Sequence, residues 1–121
     1  MNELFRFENL LVYQKALDFS NEIFETTKIW PKEHTFSLTD QLRRASLSIV
    51  LNIAEGSSKT SADFKRYLGI SRCSCHECIP IIEIGYKQGI IDKARKEAWR
   101  EKVIVLSKML SKLKSSLNSH N

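Results

Sequence analysis

Cys73, Cys75, His76 and Cys78 form the one cluster in this chain that could ligate a metal or do redox chemistry. Cys75 and Cys78 are three residues apart and can reach one side of a helix. Cys73 and His76 fall on another line, roughly 160° to 200° away. Four ligands around one ion would therefore need an unwound helix, and a zinc site ordinarily draws a second pair from elsewhere. Only His34 and His120 remain to supply one. Packing is the plainer reading, since Cys behaves as a small apolar core residue. A redox Cys75-His76-Glu77-Cys78 is disfavoured because it sits mid-helix, away from the dipole that lowers thiol pKa.

The second kind of chemistry is phosphate contact. Lys59, Lys65, Arg66 and Arg72, with Lys93, Arg95, Lys96 and Arg100, bracket two of the connections. Arg43 and Arg44 add a planar fork suited to bidentate phosphate contact. For Arg44 a structural role is preferred, paired with Glu55 or Glu77 inside an assembly, while Arg43 is kept as a contact candidate. The net charge of +5 is unevenly placed: residues 1–56 sum to −2, 57–90 to +2 and 91–121 to +5. A basic end on a near-neutral body suits phosphate backbones, or it is a solvated lysine face. No glycine-rich phosphate loop, zinc finger or base-reading aromatic motif is present. Any recognition should read shape and backbone rather than sequence.

Catalysis finds little support. Asn52 and Glu55 are polar residues in an apolar stretch, but no second acid or nucleophile stands at a defined spacing. They read as a register-fixing network with Arg44 and Glu77. The expectation is a protein that is not an enzyme and takes no cofactor.

Four helices must position these groups, over about residues 9–29, 38–55, 61–88 and 92–117 of a single 121-residue domain. Four Gly and two Pro leave long helices uninterrupted. Tyr13, Ala16, Leu17, Ser20, Ile23, Phe24 and Thr27 recur at helical spacing. Asn9, Ser37, Thr60 or Ser61, and Asp92 are read as N-terminal caps, and Gly56 as a left-handed C-cap. Pro80 predicts a kink. Trp99, Val103, Leu106, Leu110, Leu113 and Leu117 alternate four-three as a heptad seam. Short connections give an antiparallel up-down-up-down bundle.

The second helix is apolar nearly all round from Leu47 to Ala54. Helices hydrophobic on all sides are buried on all sides, and one small bundle cannot cover both faces. Leu47, Val50, Leu51 and Ala54 are therefore expected to meet another subunit. No apolar run approaches the ~20 residues needed to span a bilayer and the start lacks a secretory pattern, so the expected location is the cytoplasm, without membrane contact.

The chain resembles the four-helix-bundle family named for proteins encoded in intervening sequences of 23S ribosomal RNA genes. The resemblance rests on Glu8-Asn9-Leu10-Leu11-Val12-Tyr13-Gln14-Lys15-Ala16, Gln41-Leu42-Arg43-Arg44-Ala45, Ser48-Ile49 leading to Asn52-Ile53-Ala54-Glu55-Gly56, and Asp63-Phe64-Lys65-Arg66-Tyr67-Leu68. Val50 stands where the family has Pro. Cys73-Ser74-Cys75-His76-Glu77-Cys78 keeps only the Ser and Glu of a Gly-Ser-Leu-x-Glu-Leu stretch. The resemblance implies a left-handed bundle that assembles as a homo-oligomeric ring, typically a pentamer, with no established enzymatic activity. It is similar to accessory proteins of diversity-generating retroelements, basic pentameric barrels that bind nucleic acid and a reverse transcriptase. By that analogy the leading expectation is association with structured RNA, with a reverse transcriptase or ribosomal component as a further partner. The alternatives are a module docking a polymerase-like protein and a metal- or redox-linked sensor at the cysteines. Five copies would raise +5 to about +25, and multivalent phosphate contact would gain accordingly.

Overall fold

In a computed structural model describing residues 3–118, helices α1 (Leu11–Thr27), α2 (Asp40–Ser57), α3 (Ser61–Lys87) and α4 (Lys93–Asn118) account for most of the chain. A kinked 3-10 segment, Glu3–Asn9, precedes α1, and a 3-10 turn followed by a π turn, Lys32–Thr39, joins α1 to α2. No strand occurs among the described residues. His120 lies outside them.

Apolar spacing selects the buried stripe of each helix. Val12, Ala16, Phe19 and Ile23 of α1 meet Leu42, Ala45, Ile49 and Ile53 of α2. Phe64, Leu68, Cys75, Cys78 and Ile82 of α3 and Trp99, Val103, Leu106 and Leu110 of α4 complete a single core. The heptad seam expected in α4 is this buried stripe, with Leu113 and Leu117 packed at its edge.

Side-chain contacts fix the direction of each helix. The Ser20 and Ser46 hydroxyls meet between α1 and α2 at 3.3 Å. Ser71 donates to the Ile49 carbonyl at 2.8 Å. Arg72 reaches Ser107, and Lys96 reaches Glu83, between α3 and α4. Chain neighbours thus run antiparallel, up-down-up-down. α2 packs most extensively on α3, and α1 closes on α4 along a much slighter seam.

Two caps are as the sequence predicts: Thr60 Oγ1 accepts from Asp63 N–H, and Asp92 Oδ1 from Arg95 N–H. Others are corrected. α1 begins after Leu10 without a side-chain cap, and Ser37 donates to His34 O instead of accepting from an N–H at the start of α2. Gly56 lies inside α2 rather than at a left-handed cap; among the described residues only Gly89 has positive φ, at 77°. Gly56 is needed for another reason. A Cβ there would stand 2.6 Å from Tyr67 Cβ, so the glycine permits α2 and α3 to close on each other. The C-terminal end of α2 is held by Arg6, whose Nε and Nη2 donate to Ser57 O at 3.2 and 2.9 Å. α3 passes through Pro80 as one continuous helix.

At the opposite end, Trp99 is completely buried between Phe19 and Trp30, both ring centroids at 6.4 Å. Its Nε1–H donates to Glu22 Oε2 at 2.9 Å, and Lys102 Nζ donates to Oε1 at 2.6 Å. Burial alone would raise the Glu22 pKa. Hydrogen bonds from Lys102 and Trp99 and the charges of Lys102 and Arg95 outweigh it and hold the carboxyl below its ordinary value. A depressed folded-state pKa supplies stability above the unfolded value of 4.5, lost as pH falls through the folded value. Glu22→Gln keeps an acceptor for Trp99 but removes the charge. At neutral pH it is expected to lose less than about 1 kcal/mol, since Glu22 is partly exposed. Thermal melts from neutral to acid should show the gap from wild type closing below pH 4.5. A gap constant down to pH 3 would refute the pairing.

Candidate nucleic-acid interface

The cations expected from sequence to touch phosphate are not equivalent in the fold. Three are engaged with groups of the bundle, and Arg66 and Lys59 with neighbours on the surface. Arg43 is half-buried, donating from Nε to Thr27 Oγ1 at 2.8 Å and from Nη2 to Phe24 O at 3.3 Å, with its guanidinium over the Phe24 ring. It therefore ties the end of α1 to α2 and is not presented as a phosphate contact. Arg95 donates to Thr26 Oγ1 at 2.8 Å and lies over Trp99. Lys96 is 3.3 Å from Glu83 and sits over Tyr86. Arg66 stacks on Tyr67 and lies 3.8 Å from Asp63. Lys59 pairs with Glu55 at 3.3 Å, on the surface between α2 and α3.

Lys96 belongs, with Lys65, Arg72, Lys93 and Arg100, to the cleft between α3 and α4. Residues 65, 69, 72, 76, 83 and 87 follow three- and four-residue steps, or their sum, along the α4 side of α3. Residues 93, 96, 100, 107, 111 and 114 do so along the α3 side of α4. Arg72–Ser107, Glu83–Lys96 and the approach of Lys114 Nζ to Gly69 show the two rows facing each other. Seven positions are Lys or Arg (Lys65, Arg72, Lys87, Lys93, Lys96, Arg100 and Lys114), against one carboxylate, Glu83. His76, Ser107 and Ser111 lie among them. Lys87, Lys93, Arg100 and Lys114 are exposed and Lys65 half-buried. Lys114 is not among the cations that the sequence marks as contact candidates. The signal that places it here is its seven-residue register with Arg100 and Ser107.

Among the described residues no aromatic ring lines the middle of these rows; Tyr67 faces α2 at Gly56, and Tyr86, near one end, is covered by Lys96. The cleft concentrates positive charge and offers no uncovered ring on which a base could stack. Its close-set cations create a field that phosphate charge can enter with release of counterions.

The polar network differs from expectation. Asn52 Nδ2 donates to Ser48 O and Oγ at 2.8 and 3.0 Å, and the Ser74 hydroxyl donates to Ser48 Oγ at 2.8 Å. This ladder joins α2 to α3. Arg44 and Glu77 are exposed on the outer surface, and Glu55 faces Lys59, so these three are not part of it. Positions 44, 48, 52 and 55 share one stripe of α2 at three- and four-residue steps, but only Ser48 and Asn52 meet Ser74 and each other there, while Arg44 and Glu55 stay exposed.

The outward side of α2 carries Leu47 and Leu51, 39% and 55% exposed, with Ala54 half-buried beside them. Val50 is a correction: at 4% exposure it belongs to the core, one helical step around from that strip. On α3, Ile70 and Ile84 are also exposed on the same flank of the bundle. Leu51 and Ala54 border a hollow lined by Phe5 and Phe7.

Cys75 and Cys78 are fully buried in the core, while Cys73 is exposed. Burial pushes the Cys75 thiol up to about 12, and also raises that of Cys78, which leaves both as unreactive thiols. Among the described residues no group of three or more His, Cys, Asp or Glu side chains is placed to hold a metal. No described helix is long and apolar enough to cross a membrane.

Fold and cleft together define a four-helix-bundle protein with one cationic inter-helical face. The chain belongs to the family of 23S rRNA-intervening sequence proteins, whose model matches residues 8–112. It is also similar in structure to a protein of unknown function from the S23 ribosomal protein family of Bacteroides thetaiotaomicron VPI-5482. That similarity has a TM-score of 0.80 at 24% identity, covering 87% of this chain and 96% of the other. At that identity it bears on the fold alone. Comparison with curated proteins returns no significant match.

Proposed function

We propose that this chain is a non-enzymatic, cytoplasmic nucleic-acid-binding protein that holds the backbone of structured RNA in the α3–α4 cleft. The observation that carries the reading is the pair of facing rows with seven cations and one carboxylate. The absence of an uncovered ring along them favours a duplex backbone over splayed bases, and membership of a family named for ribosomal RNA intervening sequences agrees. A salt series of fluorescence anisotropy with a hairpin RNA tests it. Micromolar or tighter binding that weakens steeply with salt supports the reading; no binding at low salt overturns it.

The same reading includes a homo-oligomeric ring, of five copies by resemblance, joined through the outward strip of α2. Exposed Leu47 and Leu51 support this, since apolar side chains set side by side on a surface mark contact sites. A ring would repeat the cleft around an axis and multiply its affinity. Leu51→Glu is expected to reduce the mass measured by light scattering to that of a monomer while leaving the helical signal intact. An unchanged mass would remove α2 from the interface. A second reading, a ring that docks a polymerase-like protein, predicts no RNA binding that weakens steeply with salt.

A further inference from the structure

Each of the four glycines can be asked what the fold needs it for. At Gly56 a Cβ would stand 2.6 Å from Tyr67 Cβ, and at Gly85 2.6 Å from Ile91 Cδ1. Gly89 has φ +77°, which a side chain rarely adopts. Gly69 is different. It lies in the interior of α3 with φ outside the left-handed region, and a Cβ there would meet only Lys114 Nζ, at 3.3 Å. That atom is the tip of a flexible side chain and can move aside. Glycine inside a helix costs stability relative to alanine, and nothing in the fold requires it at this position.

Its neighbours give the reason. Lys65 is one turn before Gly69 and Arg72 one turn after it, on the same face of α3. Lys114 reaches over from α4. Three cations thus surround the one point on the cleft wall where the helix backbone is bare. A missing side chain lets another backbone come close, which is the common use of glycine at a ligand.

We propose that Gly69 is the seat of one backbone phosphate of a bound RNA duplex, held by Lys65, Arg72 and Lys114 against the exposed surface of α3. This rests on the nucleic-acid reading of the cleft and adds a specific site to it. Contact at this point is sterically gated: a methyl group pushes the phosphate out of the reach of three charges at once.

The test is Gly69→Ala, measured as a purified full chain by thermal melt and by anisotropy with a hairpin RNA. The melting temperature is expected to rise by roughly 2–6 °C. The affinity is expected to fall roughly five- to tenfold, with a salt slope shallower by about 1. Opposite signs for stability and binding separate a ligand seat from a packing residue. Lys114→Met serves as a second background. There, Gly69→Ala must still weaken binding; if its effect vanishes, it acted by displacing Lys114 and the seat is refuted. A lower melting temperature, or binding equal to wild type, also overturns the inference while leaving the cleft as the RNA site. If wild type itself binds no RNA, the functional reading fails and the seat with it.

Discussion

Arg72→Glu combined with Lys114→Glu is expected to weaken hairpin RNA binding by roughly 100-fold or more near 0.1 M salt. The slope of log affinity against log salt should become shallower by about 2. Both side chains are on the surface of the α3–α4 cleft, and Arg72 forms a single hydrogen bond, to Ser107. Stability should therefore stay within about 0.5 kcal/mol of wild type. Net charge must be separated from position. Lys28→Glu with Lys32→Glu changes the total charge by the same amount, from two exposed sites just beyond the end of α1. That pair is expected to cost less than about threefold, because screening limits a charge to its own neighbourhood, about 10 Å at this salt. Equal losses from the two pairs would mean that RNA is attracted by the whole molecule and not by the cleft.

Trp99→Ala should produce the largest loss of stability of any single change considered. The ring is fully buried, lies against Phe19 and Trp30, and donates to Glu22. Truncation leaves a cavity and removes one of the donors on a half-buried carboxylate. Changes of this kind cost about 3–5 kcal/mol, against a total of roughly 5–15 kcal/mol for a domain. Urea titration followed by circular dichroism should show the midpoint fall with little change in slope. Trp99→Phe keeps most of the apolar volume and should recover at least half of the loss. A loss below about 1 kcal/mol in Trp99→Ala would show that the seam between α1 and α4 is held elsewhere.

The helices were legible because their periodicity is long and few breakers interrupt it. The ends of α3 and α4 followed from Thr60, Gly89 and Asp92, whose side chains or backbone act locally. The start of α2 did not, because a π turn over Thr35–Thr39 has no distinct sequence signature. Gly56 was read as a cap because it ends an apolar run, whereas its role depends on Tyr67, eleven residues on. The candidate site was legible as composition but not as placement. Arg43 and Arg44 are adjacent and chemically identical, yet a 100° turn sends the first to Phe24 and Thr27 and the second to solvent. Val50 and Leu51 are separated in the same way, one in the core and one outside. Which of two neighbours faces the bundle depends on where the adjacent helix lies, which periodicity on a helix apolar all round cannot specify.

The slight seam between α1 and α4 bears on how the chain folds. Most packing joins helices adjacent in sequence through short connections, so little loop entropy is lost before contacts form. Such low contact order belongs to chains that fold in milliseconds or less. Closure of α1 onto α4 joins the most distant parts of the chain among these contacts, from Glu22 to Trp99 and Lys102. The cationic cleft is built from α3 and α4 alone, so both of its rows lie on helices that are adjacent in sequence and do not include α1. The slight seam of the bundle and its cationic cleft thus lie on two sides of the same helix, α4.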